Sequence, residues 1–156
     1  QWLFGEPPFD DVPIAPRTNP RSAVVIHPGS GGKRKCWPLE RYESLAATIA
    51  NARFIVGEVE AETWSRLPAG ARVLSSLDEL YDELKQARAY IGNDAGPTHL
   101  AAQMGLATLA LFGPTDPVTW SPRGPRVKVI APPEPTDMTW LSVEQARLGF
   151  ESLGSL

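Results

Sequence analysis

Short uninterrupted runs of apolar, often β-branched residues alternate along the chain with longer segments whose apolar positions repeat at helical spacing. The runs predict six strands, at residues 22–27, 53–57, 72–75, 89–92, 108–112 and 126–130. The intervening segments predict helices at residues 38–51, 59–67, 77–87 and 97–104, and a last helix that begins after Ser142 as N-cap. Continuous apolar runs are typical of parallel strands covered on both faces. We therefore predict an α/β fold with a doubly wound, Rossmann-like parallel sheet of about six strands.

The residues before the first strand differ in composition from the rest. Residues 1–21 are rich in proline and show little periodicity, which predicts a linker or a remnant of an upstream region. Residues 22–156 are expected to form one domain with its own core. The chain begins with a glutamine, not a methionine, which suggests a processed product or an excised fragment.

The composition excludes several classes of protein. Of the 156 residues, 42% are hydrophobic and 21% are charged, as in ordinary globular domains, and the net charge of −3 argues against a nucleic-acid partner. Cys36 is the single cysteine, so no internal disulfide is possible and a reducing compartment is favoured. Two histidines and one cysteine show no metal-ligand spacing. No apolar stretch approaches the ~20 residues of a membrane span, and we expect a cytoplasmic protein.

The loop after the first strand, residues 27–38, is the first candidate binding element, because ligands of doubly wound sheets lie beyond the carboxyl ends of the strands. Its glycines, Gly31 among them, allow close backbone approach, Ser30 adds a hydroxyl and Lys35 adds charge, a set that suits a diphosphate. A solvated turn with surface lysines is the alternative. The loop has neither Walker A nor G-x-G-x-x-G spacing, which argues against a nicotinamide or flavin site. We expect His27, at the strand end, to be packed and hydrogen-bonded.

Two glutamates follow the second strand. Glu58 and Glu60 stand early in a predicted helix, where a negative charge stabilises the helix dipole. Alternatively, one of them accepts hydrogen bonds from a ribose diol, as a carboxylate after the second strand does in other doubly wound folds.

The stretch from Gly92 to Ala102 is the most informative in the chain. A strand that runs through a Gly/Asp turn into a helix start directs backbone N–H groups at an anion. Asp94 either caps the helix or accepts hydrogen bonds from a sugar. His99 lies five residues further on and either forms a catalytic dyad with Asp94 or packs in the first helical turn.

The loop after the fifth strand, residues 112–123, contains the turn sequence Gly-Pro-Thr-Asp-Pro. The loops after the first, second, fourth and fifth strands are expected to share one rim of the sheet, at the carboxyl ends of the strands. We expect Thr115 to add a hydroxyl to this rim. Trp120, as a large apolar side chain, is expected to cover the core.

Taken together, three blocks resemble glycosyltransferase family 9, the heptosyltransferases of lipopolysaccharide core synthesis. The blocks are residues 27–30 with 35–38, residues 92–102, and residues 111–117. The resemblance implies one half of a GT-B fold, the C-terminal donor-binding domain. The enzyme would be inverting and metal-independent, without a cofactor. It would transfer a heptose-like sugar from a nucleotide sugar, ADP-heptose in the best-known members, to a lipopolysaccharide-type, glycan or lipid-linked acceptor.

The family pattern also implies roles for individual residues. Ser30 and Lys35 would hold the diphosphate. Glu60 would take the ribose, with Glu58 as the other candidate because the alignment is loose there. The implied binding set is Ser30, Gly31, Lys35, Glu60, Asp94, Ala95, Gly96 and His99. Ala95 departs from the pattern, which has Ser or Thr at that position.

No catalytic residue is expected in this chain, because the family's base is an aspartate of the N-terminal acceptor domain, which is missing here. The full-length enzyme would be cytoplasmic, with peripheral attachment to the inner membrane as a further expectation. Two other functions stay open at this point. One is a non-catalytic nucleotide-sugar-binding or regulatory module, and the other, disfavoured by the missing G-x-G-x-x-G, is an oxidoreductase domain.

Overall fold

The computed structural model describes residues 22–155, so the predicted linker at residues 1–21 lies outside the described residues. The strands are β1 (Ala23–His27), β2 (Ala52–Gly57), β3 (Arg72–Leu74), β4 (Ala87–Asn93), β5 (Ala107–Leu111) and β6 (Val127–Ile130). The α-helices are α1 (Leu39–Ala46), α2 (Glu58–Thr63), α3 (Leu77–Lys85), α4 (Gly96–Gln103), α5 (Pro117–Trp120) and α6 (Val143–Ser152). Short 3-10 helices occupy Lys33–Lys35, Met138–Trp140 and Leu153–Ser155.

The six strands form one parallel sheet in the order β3-β2-β1-β4-β5-β6, which confirms the predicted Rossmann-like α/β fold. Chain order reverses at β1, whose neighbours are β2 on one side and β4 on the other. In sheets of this topology the crevice for a ligand opens at that switch point, beyond the carboxyl ends of the strands. The loops after β1 and β4 therefore meet there.

Successive residues of β1 face opposite sides of the sheet and join two separate cores. Val24 and Ile26 belong to the core beside α1 and α6, while Val25 belongs to the core beside α3 and α4. Burial on both faces explains why the strands are continuously apolar. Ser142 caps α6 in a capping box with Gln145, as the sequence predicts.

The expectation for Trp120 is wrong. Its side chain is 55% exposed on the one-turn helix α5, beside Val118 at 93%. The end of β5 is instead covered by the segment after β6, where the Trp140 indole donates to the Phe112 carbonyl and Met138 packs against Gly113. Among residues 22–155, none of the helices is both long enough and apolar enough to cross a membrane.

Candidate functional site

The loops after β1 and β4 are joined by hydrogen bonds at the switch point. Ser30 Oγ donates to the Asp94 carbonyl at 3.1 Å. The Asn93 side-chain amide donates to the carbonyls of Pro28, at 2.9 Å, and Gly29, at 3.3 Å. The predicted meeting of these two loops at one rim is confirmed.

Asn93 organises the rim from below. This fully buried residue ends β4, and its Oδ1 accepts from the Trp37 backbone N–H at 3.1 Å and from the Tyr42 hydroxyl at 2.7 Å. Burial holds the pKa of Tyr42 well above its usual range, so the hydroxyl stays a donor. No sequence motif predicted a role for Asn93. The available signal was an amide at the end of an apolar strand, directly before Asp94.

Asp94 is buried, and side chains from three different parts of the chain lie beside its carboxylate. Its Oδ2 lies 3.4 Å from Lys35 Nζ and accepts from the Thr115 hydroxyl at 2.9 Å. The N-cap of α4 is Ala95, which makes no side-chain cap, so Asp94 does not cap this helix. His99 Nε2 lies 3.8 Å from Asp94 Oδ1, beyond hydrogen-bond distance, and the two do not form a dyad in this structure. The rim position predicted for Thr115 is confirmed.

The start of α4 is open towards the rim. Gly96, the first residue of the helix, is exposed, and Ala95 is half-buried. Thr98 Oγ1 donates to the Asn93 carbonyl at 2.6 Å, which fixes the helix start against the end of β4. Pro97 has no N–H, and the Thr98 N–H donates to the Ala95 carbonyl at 3.1 Å. The N–H groups of Ala95 and Gly96 are therefore the ones that this helix start presents to an anion.

Glu60 reaches the first loop from α2, whereas Glu58 is exposed. Glu60 Oε2 accepts from the Gly57 N–H at 3.0 Å and so closes the start of α2. Glu60 Oε1 lies so close to Gly29 that a β-carbon at residue 29 would collide with it. Of the two glutamates, Glu60 is therefore the one that borders the rim, and it also stabilises the helix start.

Two titratable groups lie under the first loop. His27 is buried, which confirms that it is packed, but its Nδ1 has no hydrogen-bond partner among the described residues, so the expected hydrogen bonding is wrong at this atom. Burial lowers the pKa of His27, against the raising effect of the Glu60 charge. The pKa of the Cys36 thiol is raised, chiefly by burial and next by Glu60. Both groups are therefore uncharged at neutral pH.

The rim thus combines groups suited to a polyol phosphate. Lys35 and the start of α4 offer positive charge and N–H donors, while Asp94 and Glu60 offer acceptors for hydroxyl groups. Gly31 lies on the exposed part of the first loop, with open space where a β-carbon would project. Within residues 22–155, no three His, Cys, Asp or Glu side chains gather into a set that could hold a metal ion.

Comparison with known proteins gives one family and several relatives. The family model for glycosyltransferase family 9 (heptosyltransferase) matches residues 7–142. Lipopolysaccharide heptosyltransferase 1 of Pseudomonas aeruginosa is 36% identical in a 104-residue alignment that covers 60% of this chain and 29% of that protein. The chain spans about a third of the length of the curated relatives that it matches.

Two solved structures share the fold. Escherichia coli heptosyltransferase WaaC, determined with ADP, superposes with a TM-score of 0.69 at 22% identity, over 88% of this chain and 46% of that one. TibC of enterotoxigenic E. coli, a dodecameric iron-containing glycosyltransferase, superposes with a TM-score of 0.68 at 16% identity, over 91% of this chain and 48% of that one. Because TibC contains iron, metal independence remains a prediction for this chain.

Proposed function

Because this chain belongs to glycosyltransferase family 9, we propose that it is the donor-binding part of a glycosyltransferase that transfers a heptose-like sugar from an ADP-linked nucleotide sugar. The observation that carries the proposal is the pairing of Lys35 with Asp94 beside the open start of α4. A cation, free N–H groups and a hydroxyl-binding carboxylate then stand side by side at the switch point of the sheet.

Each part of the donor has a matching group on the rim. Lys35, Ser30 and the backbone at Gly96 would bind the diphosphate, and Asp94 would accept hydrogen bonds from the sugar hydroxyls. Glu60 would accept from the ribose diol, since it borders the first loop while Glu58 does not. Gly31, Ala95 and His99 complete the proposed set, and the methyl group of Ala95 offers no hydroxyl contact.

The reaction would need charge stabilisation at the leaving diphosphate. In this proposal Lys35 and the N–H groups at the start of α4 would supply it without a metal ion. In support, Lys35 pairs with Asp94, and no side chain caps the start of α4. Inversion at the sugar carbon would further need a base that removes the proton of the acceptor hydroxyl. We assign that base to an upstream domain, with this chain as the C-terminal half of a GT-B enzyme.

The acceptor and the location are further parts of the proposal, supported by the family. We propose a lipopolysaccharide-type glycan acceptor and a cytoplasmic enzyme with peripheral contact at the inner membrane. The chain spans 46% of WaaC, which is the share expected of one of two similar domains.

Calorimetric titration tests the donor site. ADP and ADP-heptose are titrated into the chain with its upstream domain restored, and NADH serves as the control. The proposal predicts binding of both ADP compounds and weaker or no binding of NADH. Absence of heat at millimolar ADP and ADP-heptose would overturn it, and preferential binding of NADH would support an oxidoreductase domain instead.

A further inference from the structure

His27 is a buried polar residue without the contacts that burial normally requires. It is 7% exposed at the end of β1, and its Nδ1 meets no hydrogen-bond partner within the described part of the chain. Buried polar atoms are nearly always paired, because an unpaired one loses its water without compensation. An unpaired atom directly below a binding rim therefore calls for a functional explanation.

The Glu60 carboxylate is the charged group that acts on His27. Its Oε1 lies against Gly29, two residues after His27 in the first loop, and its negative charge opposes the effect of burial on the pKa of the imidazole. Glu60 itself is hydrogen-bonded at the rim through one of its two oxygens. One oxygen accepts from the Gly57 N–H at 3.0 Å, and the other lies against Gly29 without a donor among the described hydrogen bonds.

We propose that His27 is a positioning residue that orients the Glu60 carboxylate towards the nucleotide, through a hydrogen bond from Nδ1–H when the ribose is bound. A neutral imidazole carries one N–H, and an adjacent carboxylate favours the tautomer that directs this N–H towards it. Nδ1, which has no hydrogen-bond partner among the described residues, is then the donor for Glu60 when that carboxylate binds the ribose. The inference rests on the proposed function, since it assigns Glu60 to the ribose.

A purely structural histidine would behave differently. Removing a side chain that is required for packing lowers the stability of the fold and weakens the binding of every ligand to the same extent. Removing an unpaired buried polar atom leaves stability unchanged or raises it, and the loss appears only in binding, as in other stability–activity trade-offs.

The experiment compares three variants of the full chain. In His27→Asn the amide nitrogen takes the place of Nδ1, in His27→Gln it takes the place of Nε2, and in His27→Leu both are lost. The melting temperature and the affinities for ADP and for inorganic pyrophosphate are measured for each. In the proposed site, pyrophosphate would contact the residues that bind the donor diphosphate but not Glu60. It therefore serves as the internal control.

We expect His27→Leu and His27→Gln to weaken ADP binding about tenfold, the scale of one hydrogen bond to a charged group, with pyrophosphate unchanged. The ADP affinity of His27→Asn should stay within about threefold of that of the native chain. The melting temperature of His27→Leu should be no lower than that of the native chain. Equal ADP affinity in all variants, or a parallel loss of ADP and pyrophosphate binding with a lower melting temperature, would overturn the inference. If the native chain binds pyrophosphate but not ADP, or neither, the proposed function fails first and the inference with it.

Discussion

The Lys35 ammonium lies 3.4 Å from Asp94 Oδ2, so the cation of the first loop and the carboxylate after β4 pair across the switch point of the sheet. The lysine side chain is 37% exposed while that of the aspartate is 8% exposed. The pair is therefore open on its cationic side, where a phosphate can approach Lys35 without displacing Asp94. Phosphate and sugar would bind next to each other along this pair.

Replacing Lys35 should weaken nucleotide binding. Lys35→Ala removes a charge-assisted contact to the diphosphate, which corresponds to a loss of about 1–3 kcal/mol in ADP binding by calorimetry. Lys33→Ala is the matched control, because Lys33 is exposed on the same 3-10 helix. Equal affinities of the two variants would place Lys35 outside the site.

Replacing Asp94 should affect binding of the sugar more than binding of the nucleotide. Asp94→Ala removes an acceptor for sugar hydroxyls but also frees Lys35, so binding of ADP-heptose should fall more than binding of ADP. Asp116→Ala, an exposed carboxylate in the loop that also holds Thr115, is the control. Equal losses for the two ligands would assign Asp94 to holding the loops together.

A methyl group at residue 29 should displace Glu60. In Gly29→Ala the new β-carbon collides with the Glu60 carboxylate, the flexible end of that side chain, so the melting temperature should change little while ADP affinity falls. Gly154→Ala, at an exposed position outside the site, has open space around the new β-carbon and should bind ADP as the native chain does. Unchanged affinity in Gly29→Ala would show that Glu60 does not contact the nucleotide.

Asn93 should be essential for stability. Asn93→Ala leaves the Trp37 N–H, the Tyr42 hydroxyl and the Pro28 carbonyl without their partner, and the free energy of unfolding should fall by about 3 kcal/mol or more. Tyr42→Phe removes one of these bonds and should cost about 1 kcal/mol. Urea denaturation measures both, and a smaller loss for Asn93→Ala than for Tyr42→Phe would contradict the role of Asn93 as the organiser of the rim.

The Cys36 thiol should react slowly at neutral pH. Burial raises its pKa, and because the thiolate is the nucleophile, little of the reactive form is present until the pH exceeds the usual range of a free thiol. Alkylation by iodoacetamide at pH 7.5 should therefore be slower in the native chain than in urea, and the difference should shrink as the pH rises. Native and unfolded rates that agree at pH 7.5 would refute this.

The sequence was sufficient for the alternation of strands and helices, because strands buried on both faces must be continuously apolar. It also placed the Ser142 cap, which depends only on local residues. The convergence of Trp37, Tyr42 and Pro28 on Asn93 could not be read from the sequence, since these contacts join residues of three different elements.

Individual side chains were harder to place. A carboxylate before a helix start is compatible with capping, and only the position of Lys35 and Thr115 shows that Asp94 faces the rim instead. Trp120 was expected to be buried because it is large and apolar, but Met138 and Trp140, distant in sequence, already cover that part of the core. The helix-dipole argument applies equally to Glu58 and Glu60. The contact with Gly29 shows that Glu60 is the glutamate that borders the rim.

Mapping of ADP on the protein by amide chemical-shift perturbation tests the central claim most directly. In a 15N-labelled chain, saturating ADP should shift the backbone amides of residues 29–36, Glu60 and residues 94–99. It should leave those at the opposite, amino-terminal ends of the strands, near Arg88 and Arg126, unchanged. Shifts concentrated at the amino-terminal ends, or none at millimolar ADP, would contradict a nucleotide-sugar site at the switch point.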